Sequence, residues 1–171
     1  MWRIVPQSHR DCVDAETCPT GNGLAGLRIG TAHACRHRVD WTGSILVVDD
    51  ELATRAMVVE LLREEGVEAR SVASVDEALE ALRKGDFGAI LSDIQMPVKD
   101  GFTLLSELRQ RGTAVPVILM TSFGTEETTD EAVAAGAFGC LLKPFARSAL
   151  LEMVRRAFQA KAALDDPVPC A

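Results

Sequence analysis

Four short apolar runs, each ending abruptly in a polar or charged residue, constrain this chain more than any other feature. Ile45-Leu46-Val47-Val48 runs into Asp49-Asp50-Glu51, and Phe87-Gly88-Ala89-Ile90-Leu91-Ser92 runs into Asp93, with Ile94-Gln95-Met96-Pro97 and then Asp100-Gly101 following. Val117-Ile118-Leu119-Met120 runs into Thr121-Ser122, and Cys140-Leu141-Leu142 into Lys143-Pro144. Apolar runs without alternation are the pattern of strands covered on both faces, as in a parallel sheet flanked by helices. In such a sheet the strand ends empty their side chains into one crevice at the carboxyl edge.

Helical patterns fill the gaps between the runs. Residues 53–65 carry Met57, Val58, Leu61 and Leu62 on one stripe and stop at Gly66, a good residue for leaving a helix. A second strand is expected over 67–73. Ser74 then caps a second helix, with Glu77 placed for a capping box and Ala78, Leu79 and Leu82 as apolar positions before Gly85. A third helix over 101–111 offers Phe102, Leu104, Leu105 and Leu108, and a buried strand is expected over 115–120. The fourth helix, about 125–135, offers mainly Val133 and alanines while carrying Glu126, Glu127, Asp130 and Glu131, so it should be weakly held. The fifth is strongly amphipathic through Leu150, Leu151, Met153, Val154, Ala157 and Phe158. Strand and helix in alternation imply an α/β fold with helices on both faces of a parallel sheet.

The strand ends carry the chemistry. Two adjacent acids and a third carboxylate from another strand repel each other unless a hard divalent cation, magnesium before others, neutralises them and then grips a phosphoryl group. With a hydroxyl and an ammonium at the two remaining strand ends, the chain resembles the receiver domains of two-component response regulators, and among them single-domain receivers of the chemotaxis-regulator kind. The match runs from about Ser44 to Leu164 and contains all four motifs in the family's order.

The resemblance implies a doubly wound five-stranded parallel sheet of the flavodoxin-like, receiver type. It implies that Asp93 accepts a phosphoryl group from a sensor histidine kinase or phosphotransfer protein, and that the state is passed on by docking a downstream protein target. Asp50 would ligate Mg2+ directly and Asp49 chiefly through water, with Asp93 and the backbone carbonyl of Gln95 completing the protein ligands. Thr121 would donate its hydroxyl to a phosphoryl oxygen. Lys143 would pair with Asp93 at rest and with the phosphoryl group afterwards, and Lys143-Pro144 resembles the family's cis peptide. Gln95 and Phe123 fall where family members border the path of attacking water; neither is a base, so slow hydrolysis is expected. The chain departs from the family at Cys140, which stands where a switching tyrosine or phenylalanine is usual, and it has no tyrosine.

Charge narrows the partners. The chain carries a net −7, with residues 1–43 near neutral and the remainder strongly acidic, so direct nucleic-acid binding is not expected. No apolar stretch approaches signal-peptide or membrane-span length, and a cytoplasmic protein with reduced cysteines is expected. Residues 1–43 show no sustained periodicity and read as a disordered extension, 44–164 as the receiver domain, and 165–171 as a short tail with no second domain after it. Cys12, Cys18, His33, Cys35 and His37 fit no zinc spacing.

Two other function classes compete with the receiver. A fold retained as an unphosphorylated interaction module is disfavoured by the intact Asp49, Asp50, Asp93, Thr121 and Lys143. A turnover phosphatase with an aspartate nucleophile would usually carry a second acid two residues later, where this chain has Gln95. No Gly-Lys-Ser/Thr phosphate loop is present, which disfavours nucleotide hydrolysis.

Overall fold

The computed structural model describes Trp41 and residues 43–165. Five strands and five helices alternate: β1 Ser44–Val48, α1 Leu52–Glu64, β2 Ala69–Val72, α2 Val75–Lys84, β3 Phe87–Asp93, α3 Gly101–Gln110, β4 Val117–Thr121, α4 Glu126–Ala135, β5 Gly139–Leu142 and α5 Arg147–Asp165. All strands are parallel, in the order β2-β1-β3-β4-β5. The chain therefore reverses its winding direction between β1 and β3, and the crevice of a doubly wound sheet opens at that point.

Alternation along β1 divides the core in two. Leu46 and Val48 face a layer built with α2, α3 and Ala132 of α4, while Ile45 and Val47 face α1 and α5 through Val58, Leu62, Leu150, Val154 and Phe158. β3 is buried along its whole length, as expected for a central strand covered on both faces. Each fully buried leucine or isoleucine in these layers contributes about 1.5–3 kcal/mol relative to exposure.

Several local expectations need correction. Met57 is exposed, because α1 turns only Val58 and Leu62 fully inward. Val133 is exposed too, and the small Ala132 is the buried contact of α4. β2 is shorter than 67–73 and β4 ends at Thr121. Ser74 accepts from the Glu77 amide, but Glu77 Oε2 accepts from Ala73, one residue before the cap, so the capping box is displaced by one residue. α4 begins instead with a capping box between Thr125 and Thr128 and ends at Gly136 in the left-handed region.

The expectation that nothing before Ser44 joins the core fails at Trp41. Its ring meets Phe158 edge-on with centroids 5.6 Å apart, and Nε1 donates to the Glu65 carbonyl at 3.1 Å. Gly88 makes room for that cluster, since a Cβ there would lie 2.2 Å from the Phe158 ring. The expected disorder of 1–40, the Cys/His group within it and the tail from 166 lie outside the described residues. Among the described residues no helix is long and apolar enough to cross a membrane.

Candidate functional site

β1 and β3 are neighbours, so the residues that follow their buried runs meet at the same edge of the sheet. Asp49 and Asp93 are buried there and Asp50 is exposed; each offers a carboxylate oxygen within 4.8 Å of the other two. Three like charges this close repel strongly, more so where burial removes water's screening. Hard oxygen donors at that separation suit a divalent cation such as Mg2+.

Lys143 is delivered between two of the acids by β5. The Lys143 amide donates to the Thr121 carbonyl at 2.7 Å, and the Lys143-Pro144 bond is cis, as the resemblance implied. The ammonium does not pair with Asp93 alone. It hydrogen-bonds Asp49 Oδ2 at 2.7 Å and lies 3.2 Å from Asp93 Oδ1. The second approach is an ion pair not aligned as a hydrogen bond, and Asp93 Oδ1 is left buried without a hydrogen-bond partner. Asp49 is wholly buried, and a carboxylate removed from water needs compensation most, which accounts for the lysine favouring it.

Titration follows from the same geometry. Burial raises the Asp93 pKa; the charge of Lys143 pulls it back, Asp49 pushes it up again, and the close approach of the Lys143 ammonium and, least, the Gln95 backbone amide lower it. Burial pulls the Lys143 pKa down, but the hydrogen bond to Asp49 and the charges of Asp93 and Asp49 outweigh it and leave the pKa raised. A carboxylate whose buried oxygen is ion-paired with a charged ammonium but not hydrogen-bonded is suited to accept both a cation and an electrophile.

Asp49 is more engaged than Asp50. Its Oδ1 accepts from the Glu51 amide at 2.8 Å, and its backbone carbonyl accepts from Arg55 Nη1 at 2.5 Å. The role of Arg55 was not legible in the sequence, where it reads as a solvated helix residue; its place one turn into α1 is what lets it reach back. Thr121 is 2% exposed at the end of β4. Its oxygen accepts from the Phe123 amide at 3.1 Å, which leaves the hydroxyl proton free to donate. Gln95 and Phe123 are both exposed, Phe123 at 73%, so its ring does not wall off Asp93 in this state. Cys140 is half-buried against the α3 side of the core, and burial raises its pKa, which keeps it a thiol.

Known proteins resemble this chain over the folded segment. Residues 45–155 match the family model described as response regulator receiver domain. The response regulator protein FleR of Pseudomonas aeruginosa is 38% identical over 66% of this chain and 24% of its own length. The chain likewise spans only about a quarter of ZraR and AtoC. The chemotaxis protein CheY of Halobacterium salinarum is 34% identical over 64% of this chain and 92% of its own length. Among solved structures, the chemotaxis response regulator CheY4 of Vibrio cholerae superposes with a TM-score of 0.63 at 34% identity, covering 68% of this chain and 98% of that one. A family model that spans well over half of the residues, with relatives above 30% identity, establishes that this chain belongs to the response regulator receiver domain family.

Proposed function

We propose that this receiver takes a phosphoryl group from a phosphohistidine onto Asp93 and passes the change on by docking another protein in a phosphorelay. The observation that carries the reading is Asp93 itself: a buried carboxylate oxygen with no hydrogen-bond partner, beside Lys143 and two further acids. In the step, an Asp93 oxygen attacks phosphorus, the P–O bond forms, the P–N bond to the donor imidazole breaks, and the imidazole leaves with that electron pair. A carboxylate nucleophile attacks without a separate base.

Asp50 and Asp93, with Asp49 behind them and the Gln95 carbonyl, would hold Mg2+, which supplies charge neutralisation at the transferring phosphoryl group. Asp49 spends both oxygens on the Glu51 amide and Lys143, which supports an indirect role for it and a direct one for the exposed Asp50. Lys143 faces the phosphoryl charge after transfer, and the Thr121 proton is free to donate to a phosphoryl oxygen. The chemistry stops at one acyl phosphate per chain and is not turnover. A sensor histidine kinase or phosphotransfer protein is the donor, and the acidic surface favours protein partners over nucleic acid. The protein works in the cytoplasm, and the receiver domain extends over 44–164 with Trp41 packed upon it.

The test is incubation with a small phosphodonor, with and without Mg2+, followed by intact mass. A single phosphoryl adduct that requires Mg2+ and vanishes in Asp93→Asn is expected; equal labelling of the variant would defeat the assignment. Cys140 in place of a switching aromatic favours one second reading, a receiver fold that docks partners without phosphorylation. The absence of any adduct on the parent chain would select it.

A further inference from the structure

The seven residues Ile94 to Asp100 join β3 to α3 and are held at several points. The Gly101 amide closes the loop onto the Ile94 carbonyl at 3.0 Å. Gly101 has to be glycine for this, since a Cβ would fall 2.5 Å from the Asp93 carbonyl oxygen. Asp100 Oδ1 caps α3, accepting from the Thr103 amide and hydroxyl, both at 2.7 Å. Met96 packs against the core. Val98 has no such anchor: it is fully exposed, with φ at 70°.

The Lys99 amide donates to the Pro97 carbonyl at 2.8 Å, so Val98 is the centre of a three-residue turn with positive φ. That turn is rare and strained, and for a β-branched residue it is a true outlier. Exposed as it is, the valine side chain makes no contact that would offset the strain. The neighbouring residue supplies the restraint instead. Lys99 Nζ lies 2.5 Å from Asp76 in the first turn of α2 and 3.5 Å from Glu107 of α3, and Glu107 also pairs with Arg111 at 2.8 Å. A lone surface ion pair holds little, but this network joins three elements; the Lys99 and Glu107 side chains are half-buried and Asp76 is exposed.

We propose that Lys99 is a positioning residue for the divalent-cation site: through Asp76 and Glu107 it keeps the β3–α3 loop in its strained turn and so fixes Gln95 beside Asp93. The inference rests on reading Asp49, Asp50 and Asp93 as that site. It makes a prediction opposite to that of charge alone, because deleting a cation near an acidic cluster should tighten binding of a dication. A misplaced loop should weaken it.

The experiment is calorimetric titration of MgCl2 into the full chain in about 0.15 M KCl, where distant charges are screened. Lys99→Gln should weaken Mg2+ affinity about tenfold, the size expected when a supporting contact behind a ligand is lost. Lys84→Gln, which breaks the Lys84–Glu80 pair on α2, should leave affinity unchanged. Lys99→Gln binding as tightly as the parent or tighter would overturn the proposal, and so would equal weakening by Lys84→Gln. A parent chain that shows no Mg2+ binding would sink the cation-site reading itself, and this proposal with it. A second readout needs no metal: in chelator, the Gln95 and Lys99 amides should exchange hydrogen faster in Lys99→Gln while 45–48 do not change, and unchanged exchange at Gln95 and Lys99 would also overturn the assignment.

Discussion

Trp41→Ala should destabilise the domain by about 2–3 kcal/mol, although the residue lies ahead of the first strand. A tryptophan can bury about 150–250 Å2, and at about 25 cal/mol per Å2 the gross gain is roughly 4–6 kcal/mol. Trp41 is only partly buried, and ordering a segment that leads into the domain costs about 1–2 kcal/mol per residue, so much of that gain is offset. The edge-on contact with Phe158 adds about 0.5–1.5 kcal/mol, and the Nε1 hydrogen bond to Glu65 about 0.5–1.5 kcal/mol. For a domain of this size, about 2–3 kcal/mol corresponds to a fall in Tm of roughly 6–12 °C. Trp41→Phe keeps a ring against Phe158 but loses the donor and part of the indole's apolar area, so it should cost about 1–2 kcal/mol, less than Trp41→Ala. The assay is denaturant unfolding followed by far-UV circular dichroism on the full chain. A Trp41→Ala midpoint within error of the parent would refute the argument, and would return the effective start of the domain to Ser44.

Val98→Gly should raise stability by about 1 kcal/mol, since glycine adopts the positive φ without strain and gives back only part of the gain through its freer unfolded chain; a lower midpoint would show that the turn is not strained. Asp50→Ala should preserve the fold and leave Asp93 in place while weakening Mg2+ binding, and an unchanged titration would remove Asp50 from the ligand set. In chelator at neutral pH, Asp93→Asn should stabilise the protein. Burial raises the folded pKa of Asp93, so its contribution to stability is fully present at low pH and lost as pH rises through that value; the advantage of Asn should therefore shrink toward acid, and a growing advantage would reverse the sign. Phe123→Asn should shorten the life of the Asp93 adduct if the exposed ring closes over it in the phosphorylated state, and an equal or longer lifetime would remove Phe123 as a shield.

Element order, strand identity and the meeting of Asp49, Asp50, Asp93, Thr121 and Lys143 at one sheet edge were legible in the chain. A strand buried on both faces must read as an unbroken apolar run, and its first polar residue must fall where burial ends. Ser74 and Gly66 likewise act through their own backbone neighbourhood, so their positions announce helix ends locally. Helical period, in contrast, tells which side chains share a face but not what covers that face. Met57 and Val133 were therefore indistinguishable from core residues until α1 and α4 were seated on the sheet, and Trp41 looked like part of an unstructured extension until Phe158 came to meet it. The partners of Lys143, the reach of Arg55 back to Asp49 and the grip of Lys99 on α2 and α3 depend on residues far apart in the chain or on different elements. Only the packed structure decides these, because ion pairing depends on distances in space and on how much water burial removes, and neither is written in the order of residues.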